Sequence, residues 1–245
     1  MNDRVYIHEI IDIIGPNRAN YMHHMAANFS PRAQVERQQL CYGVWGIVNS
    51  TMAGWPKVLN IWEENGFDGL ATSWRHELSH PGLQDPFLAT WWAKAAEYRS
   101  GGTSRILAPA AWTRTIEELC REGATGEAYA HEVVRVPRGT APDYLEAARQ
   151  EATGPYGDFG LELVGAWETL MVDASECILL WTIPSFERWA DFERLRHEHD
   201  GLVGWRERSR SMSTSSQRVL LVDSPLCPFR THRQPREEDQ TDWEG

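Results

Sequence analysis

The chain repeats itself. Tyr6-Ile7-His8-Glu9 near the start returns as Tyr129-Ala130-His131-Glu132, and each is followed by an apolar run. Tyr21 returns as Tyr144, Gly43-Val44-Trp45 as Gly165-Ala166-Trp167, and Leu59-Asn60-Ile61-Trp62, more loosely, as Leu179-Leu180-Trp181. Arg75-His76-Glu77 is answered by Arg196-His197-Glu198. Each copy closes on a short apolar strand, Arg105-Ile106-Leu107 and Arg218-Val219-Leu220-Leu221. A repeat constrains the fold more than any single motif, because one supersecondary unit is then used twice. It also directs attention to the space between the copies.

The periodicities agree between the copies. In the first, Val5 to Ile14 is β-branched, apolar and closed by Gly15-Pro16, which predicts a strand and a turn. Asn17 to Gln38 carries apolar residues at helical spacing, with Ser30-Pro31 as an expected break. Leu40–Ser50 and Lys57–Glu63 read as strands joined by a turn at Ala53-Gly54. Phe67 onward and Pro86–Tyr98 read as helices, and Ser104–Leu107 as the fourth strand. The second copy repeats this order: strand Ala128–Val136, helix Pro142–Ala152, strands Phe159–Leu170 and Glu176–Ile183, a helix capped by Ser185, and strand Gln217–Val222. Each copy is β-α-β-β-α-β, the ferredoxin-like unit, so the fold class is α+β. The predicted organisation is a first repeat over residues 1–109, a linker with a short helix over 110–126, a second repeat over 127–225, and a disordered polar tail over 226–245.

Composition excludes several partners. The formal net charge is −11 and the pI near 5.3, with no basic stripe, so no nucleic acid is expected. No signal segment opens the chain and no 18-residue apolar run occurs, so a cytoplasmic protein with no membrane partner is expected. Four scattered cysteines without CxxC spacing read as reduced thiols. Twelve tryptophans suit cavities for flat apolar ligands.

A strand opening with Tyr, G-x-W on the second strand and an apolar third strand running into Trp occur in both halves, as Gly43-Val44-Trp45 with Val58–Trp62 and as Gly165-Ala166-Trp167 with Ile178–Trp181. In this order and duplication the chain resembles the NIPSNAP-like members of the dimeric α/β-barrel superfamily. The resemblance implies two four-stranded antiparallel sheets packed into one α/β barrel, with helices outside and pseudo-twofold symmetry within a single chain. A homodimer is compatible with it. The family usually has an Arg near the end of the opening tetrapeptide. Here His8-Glu9 and His131-Glu132 stand there, so no role of that Arg carries over.

Strand alternation puts Tyr6, His8, Ile10 and Asp12 on one face and Ile7, Glu9, Ile11 and Ile13 on the other. The more apolar face is expected against the helices and the mixed face inside the barrel, where His8 and His131 become two imidazoles related by the pseudo-twofold. A His is the natural general acid or base near neutrality. The expected catalytic set is His8, Tyr6, Glu9, His131 and Tyr129, and Trp45, Trp62, Trp167 and Trp181 are expected to line an apolar pocket inside the barrel. The bland alternative makes both histidines satisfied structural residues. No metal site is predicted: His23-His24 point about 100° apart on a helix, and no H-E-x-x-H occurs. No GxGxxG, P-loop or GxSxG is present, which disfavours nucleotide cofactors and serine hydrolysis. The expectation is a small-molecule enzyme without cofactor, acting on a hydrophobic or aromatic metabolite by His- or Glu-assisted proton transfer, as an oxygenase, isomerase or cyclase does. Its rivals are a haem- or metal-dependent enzyme of the same superfamily, with haem on His197 or His199, and a non-catalytic NIPSNAP-like binding protein.

Overall fold

A computed structural model describes residues 2–49 and 54–241. Ser50 of the expected second strand, Ala53 of the turn after it and residues 242–245 of the tail lie outside the described residues. Eight strands, β1 (Val5–Ile13), β2 (Leu40–Asn49), β3 (Lys57–Glu64), β4 (Arg99–Pro109), β5 (Ala128–Arg135), β6 (Glu162–Thr169), β7 (Glu176–Ile183) and β8 (Ser215–Asp223), close into one barrel. Their order is β1-β3-β2-β8-β5-β7-β6-β4, and β4 pairs back to β1. Every neighbouring pair is antiparallel. Within each half the order is fourth, first, third, second strand. The halves join at two seams, β2 with β8 and β4 with β6. All strands come from one chain, so closure needs no second copy.

The helices among the described residues are α1 (Arg18–His23), α2 (Ser30–Arg37), α3 (Gly66–Leu78), α4 (Pro86–Ala95), α5 (Ile116–Glu122), α6 (Ala141–Ala147), α7 (Thr153–Gly157), α8 (Phe186–Leu195), α9 (Asp200–Met212) and α10 (Pro228–Thr231). Ser30-Pro31 does not end the first helical run. A π-helical segment, His24–Phe29, joins α1 to α2, and Ala148–Ala152 does the same between α6 and α7. Pro31 and Pro155 each follow such a segment. The wider turn removes the clash between the proline ring and the carbonyl four residues back. Ser185 caps α8 as expected, accepting from Arg188 N–H at 3.3 Å.

The G-x-W motif has a packing explanation. Gly43 and Trp45 lie two residues apart on the inner face of β2, and the indole lies flat over the glycine. A Cβ on Gly43 would sit 2.1 Å from Trp45 Cη2, and one on Gly165 would sit 1.8 Å from Trp167 Cη2. Both indoles thereby lie inside the barrel. Tyr6, Tyr42, Trp45, Tyr129, Trp167 and Phe229 form one cluster of edge-to-face contacts, with Trp45 and Phe229 tilted, at centroid distances of 5.4 to 5.8 Å. The expected pocket inside the barrel is thus filled by rings, of which only Trp45 and Trp167 belong to the four tryptophans expected to line it.

The linker and the tail close one end of this core. Thr115 and Glu118 form a capping box at α5, whose Ile116 and Leu119 enter the interior cluster. The segment after Pro225 differs from the disordered tail expected for 226–245. It folds back through Thr241: Phe229 is buried in the barrel core, Arg230 pairs with Asp223, and the Gln234 amide bonds both Cys41 N–H (2.8 Å) and Cys41 C=O (2.9 Å). Its composition hid this, because apart from Phe229 most of the anchoring contacts are hydrogen bonds and ion pairs made by polar residues.

Gly165→Ala is expected to cost about 1–3 kcal/mol by forcing Trp167 off the strand. Chemical denaturation checks the loss, and the near-ultraviolet circular dichroism of the buried indole should change with it.

Candidate functional site

The inner face brings the two histidines together. His8 and His131 oppose Ile61 and Leu180 on neighbouring strands, and their Nε2 atoms lie 2.9 Å apart. Their rings stack at 5.0 Å. One ring must donate and the other accept, which two neutral imidazoles do. Burial, then His131, then Arg105 hold His8 well below its ordinary pKa; burial, then Arg105, lower His131 to about 3. His8 is 0% and His131 1% exposed, so both rings are shielded from solvent. Tyr6 and Tyr129 are likewise interior. Tyr6 OH donates to Glu63 Oε2 at 2.9 Å, and Tyr129 OH donates to Asp223 Oδ2 at 3.2 Å. Burial raises both phenols well above the ordinary tyrosine range and lifts Glu63 to about 6.

The four tryptophans do not line one pocket. Trp45 and Trp167 belong to the interior, whereas Trp62 and Trp181 lie on the outer faces of β3 and β7 under the helices. The reason is register: Trp62 pairs with Ile7 and Trp181 with Ala130, both outward positions. Glu9 and Glu132 share those outward faces.

Each outer face carries a cleft between sheet and helices. In the first half the cleft measures about 130 Å³. Glu9, Gln39 and Trp62 line its sheet side, and Arg37, Ser73, Trp74, Glu77 and Trp91 are among its helical walls. Glu9 Oε2 accepts from Trp62 Nε1 at 3.1 Å and Asn60 Nδ2 at 3.3 Å. Among the described residues no cation lies at ion-pair distance from it. Three buried polar atoms beside it, Arg37 Nη2, Gln39 Oε1 and Asn60 Oδ1, have no hydrogen-bond partner among the described residues. Behind Gln39, burial lifts Glu64 to about 7 while Gln39 Nε2 donates to it at 2.7 Å. Arg37, Gln39 and Trp91 were not singled out from the sequence. Arg37 reads there as an ordinary helix-terminal cation, and only the packing of α2 on α3 turns it inward.

In the second half the cleft is about 320 Å³ and holds Glu132, Tyr156, Phe192, Trp205, Arg206 and Arg218 among its lining. Here the carboxylate is neutralised: Arg218 Nη2 and Nε donate to Glu132 Oε1 at 2.8 and 3.1 Å, and Arg218 stacks on Tyr156 and Phe192. The apparent match of Arg105 with Arg218 is one residue out of register. Arg218 opposes Glu132, but Arg105 opposes His8, and Ser104 opposes Glu9. One residue of slip turns a side chain to the other face.

Haem does not fit the histidines proposed for it. His197 is exposed, with Arg206 Nη1 at 2.6 Å and Arg196 Nε at 3.2 Å from its ring nitrogens. His199 caps α9 through Nδ1, with Leu202 N–H at 3.3 Å, and its Nε2 lies 3.3 Å from Asp158. Neither lines the second cleft, whose floor the Glu132–Arg218 pair occupies.

The depressed histidine pKa values set a pH dependence. The unfolded chain binds protons near the ordinary histidine pKa, about 6.5, and the folded chain does not. Stability is therefore complete above that pH and is lost as pH falls from there toward 3, at up to about 1.4 kcal/mol per pH unit per histidine. The ring resonances of His8 and His131 should stay fixed between pH 8 and 5 in an NMR titration.

No protein-family model matches this chain, and no curated protein matches it by sequence. Solved structures do. A candidate monooxygenase from Lactobacillus acidophilus NCFM superposes with a TM-score of 0.59 at 11% identity, covering 96% of this chain and 97% of that one. An anthrone oxidase-like protein gives 0.58 at 11% identity over 90% and 92%. A NIPSNAP family protein from Agrobacterium tumefaciens, 20% identical, covers 43% of this chain and 93% of its own with a TM-score of 0.37. The likeness to the two full-length neighbours is one of fold, a closed α/β barrel built here from the two halves of one polypeptide.

Proposed function

We propose that the chain is a cofactor-free enzyme that removes a proton from a flat hydroxyaromatic or enolisable substrate held in the first-half cleft, with Glu9 as the base. One observation carries this reading: Glu9 is a carboxylate at the sheet side of an aromatic-walled cleft, oriented by an indole N–H and an amide N–H, with no cation among the described residues at ion-pair distance. Two N–H donors on one oxygen fix the carboxylate while leaving lone pairs to accept a proton. Trp62, Trp91 and Trp74 provide apolar faces for a planar ring system. Arg37 Nη2, which makes no hydrogen bond and lies 3.7 Å from Asp85 Oδ2, is a buried donor on the helical wall suited to an oxygen that gains negative charge as the proton leaves. The full-length neighbours named as a candidate monooxygenase and as anthrone oxidase-like fit oxygenation of such an anion as the following step. His8, Tyr6, His131 and Tyr129 then serve as the packed interior and not as catalysts.

A non-catalytic binding protein is the second reading, favoured by the filled barrel interior. It uses the same cleft and gives affinity without turnover.

The test incubates the full chain with a panel of polycyclic phenols and anthrones, following oxygen uptake and solvent-deuterium exchange at the acidic C–H. Glu9→Gln should lower the rate about 10²–10⁴-fold without loss of folding, and Glu132→Gln should leave it unchanged. Full activity in Glu9→Gln would remove Glu9 from the mechanism, and ligand binding without exchange or uptake would establish the binding reading.

A further inference from the structure

Three helices that wall the first cleft bring unlike ligand groups together away from Glu9. Glu36 lies near the end of α2, His76 in the last turn of α3, and Asp85 immediately before α4. One oxygen or nitrogen from each lies within 4.8 Å of the other two. Asp85 divides its two oxygens. Oδ1 caps α4 by accepting from Phe87 N–H at 3.0 Å, and Oδ2 accepts no hydrogen bond although the residue is only 6% exposed. His76 Nε2 is also buried without a hydrogen bond, 3.4 Å from Asp85 Oδ2.

We propose that Glu36, His76 and Asp85 form a divalent-cation site that ties α2, α3 and α4 together beside the cleft, and that its donor set selects zinc. A buried carboxylate oxygen faces an imidazole nitrogen and neither makes a hydrogen bond; Arg37 Nη2, 3.7 Å from that oxygen, offsets its charge without satisfying its lone pairs, which a metal ion would do. The 3.4 Å separation matches two ligands on a tetrahedral zinc, for which bonds of about 2.1 Å place neighbouring donors about 3.4 Å apart. One imidazole and two carboxylates suit zinc and leave its fourth position to water. Charge permits it. Glu36, Glu77 and Asp85 are opposed in this corner by Arg32, 2.6 Å from Glu36, and by Arg37, 3.3 Å from Glu77 and 3.7 Å from Asp85. Glu36 turns from Arg32 to the metal on binding. The ligands are 40 and 9 residues apart on separate helices, so no short sequence motif announces them.

The site requires no base at Glu9, although Arg37 lies against both, and its test reads metal alone. The full chain is stripped with a chelator, dialysed and titrated with Zn²⁺ against a chromophoric competitor, and in parallel with Co²⁺. One equivalent should bind, raise the melting temperature, and give Co²⁺ the intense visible absorption of a low-symmetry four-coordinate site. Asp85→Asn keeps a good helix cap while weakening the ligand. It should melt like the metal-free wild type yet lose affinity by at least the ~10–100-fold that disturbing a metal's outer shell produces. His76→Gln should do the same. Absence of stoichiometric Zn²⁺ binding by the wild type, or wild-type affinity in both variants, would overturn the assignment.

Discussion

Closure of the sheet on itself gives every strand residue one of two sides, and the side decides its chemistry. Inside, water is excluded and groups must satisfy one another, as His8 and His131 do across 2.9 Å and Tyr6 does with Glu63. Outside, residues meet helices that pack imperfectly and leave clefts. Two adjacent residues, His8 and Glu9, therefore have opposite fates. The imidazole is sealed in the interior, and the carboxylate lines a cleft between sheet and helices.

Duplication built two such clefts and divergence made them different. Glu9 and Glu132 occupy equivalent outward positions, but the strand opposite supplies Ser104 in the first half and Arg218 in the second. An arginine held by Glu132, Tyr156 and Phe192 makes the second carboxylate half of an ion pair, whereas Glu9 accepts only neutral N–H donors. Interior positions diverged less, because both G-x-W motifs solve the same steric problem. Only glycine lets an indole lie along the strand two residues away.

The duplicated strand order, the α+β class and the placement of His8 and His131 on the inner face were legible, because alternation along a strand is a local property and the repeat supplies its counterpart; their 2.9 Å contact was not. The continuation of helix through Pro31 was not, since the π-helical turn that accommodates it leaves no mark in composition. Nor was the fold of residues 226–241, whose anchors are polar: Arg230 on Asp223, Gln234 on the Cys41 backbone and Arg233 on Asp239. Of the expected site, Glu9 and Trp62 meet in one cleft. Arg37 and Gln39 join them only through the packing of α2 and α3 over the sheet.

The sequence by itself determined a repeated unit, the two faces of each strand and the residue types on each face, because backbone geometry alone fixes a period of two. Tertiary structure decided which face became a cleft and which became core. It also decided that Arg105 and Arg218, alike in sequence, point to opposite sides. Both outcomes depend on inter-strand register and on how many large rings the closed interior must hold, and neither is encoded in any one segment.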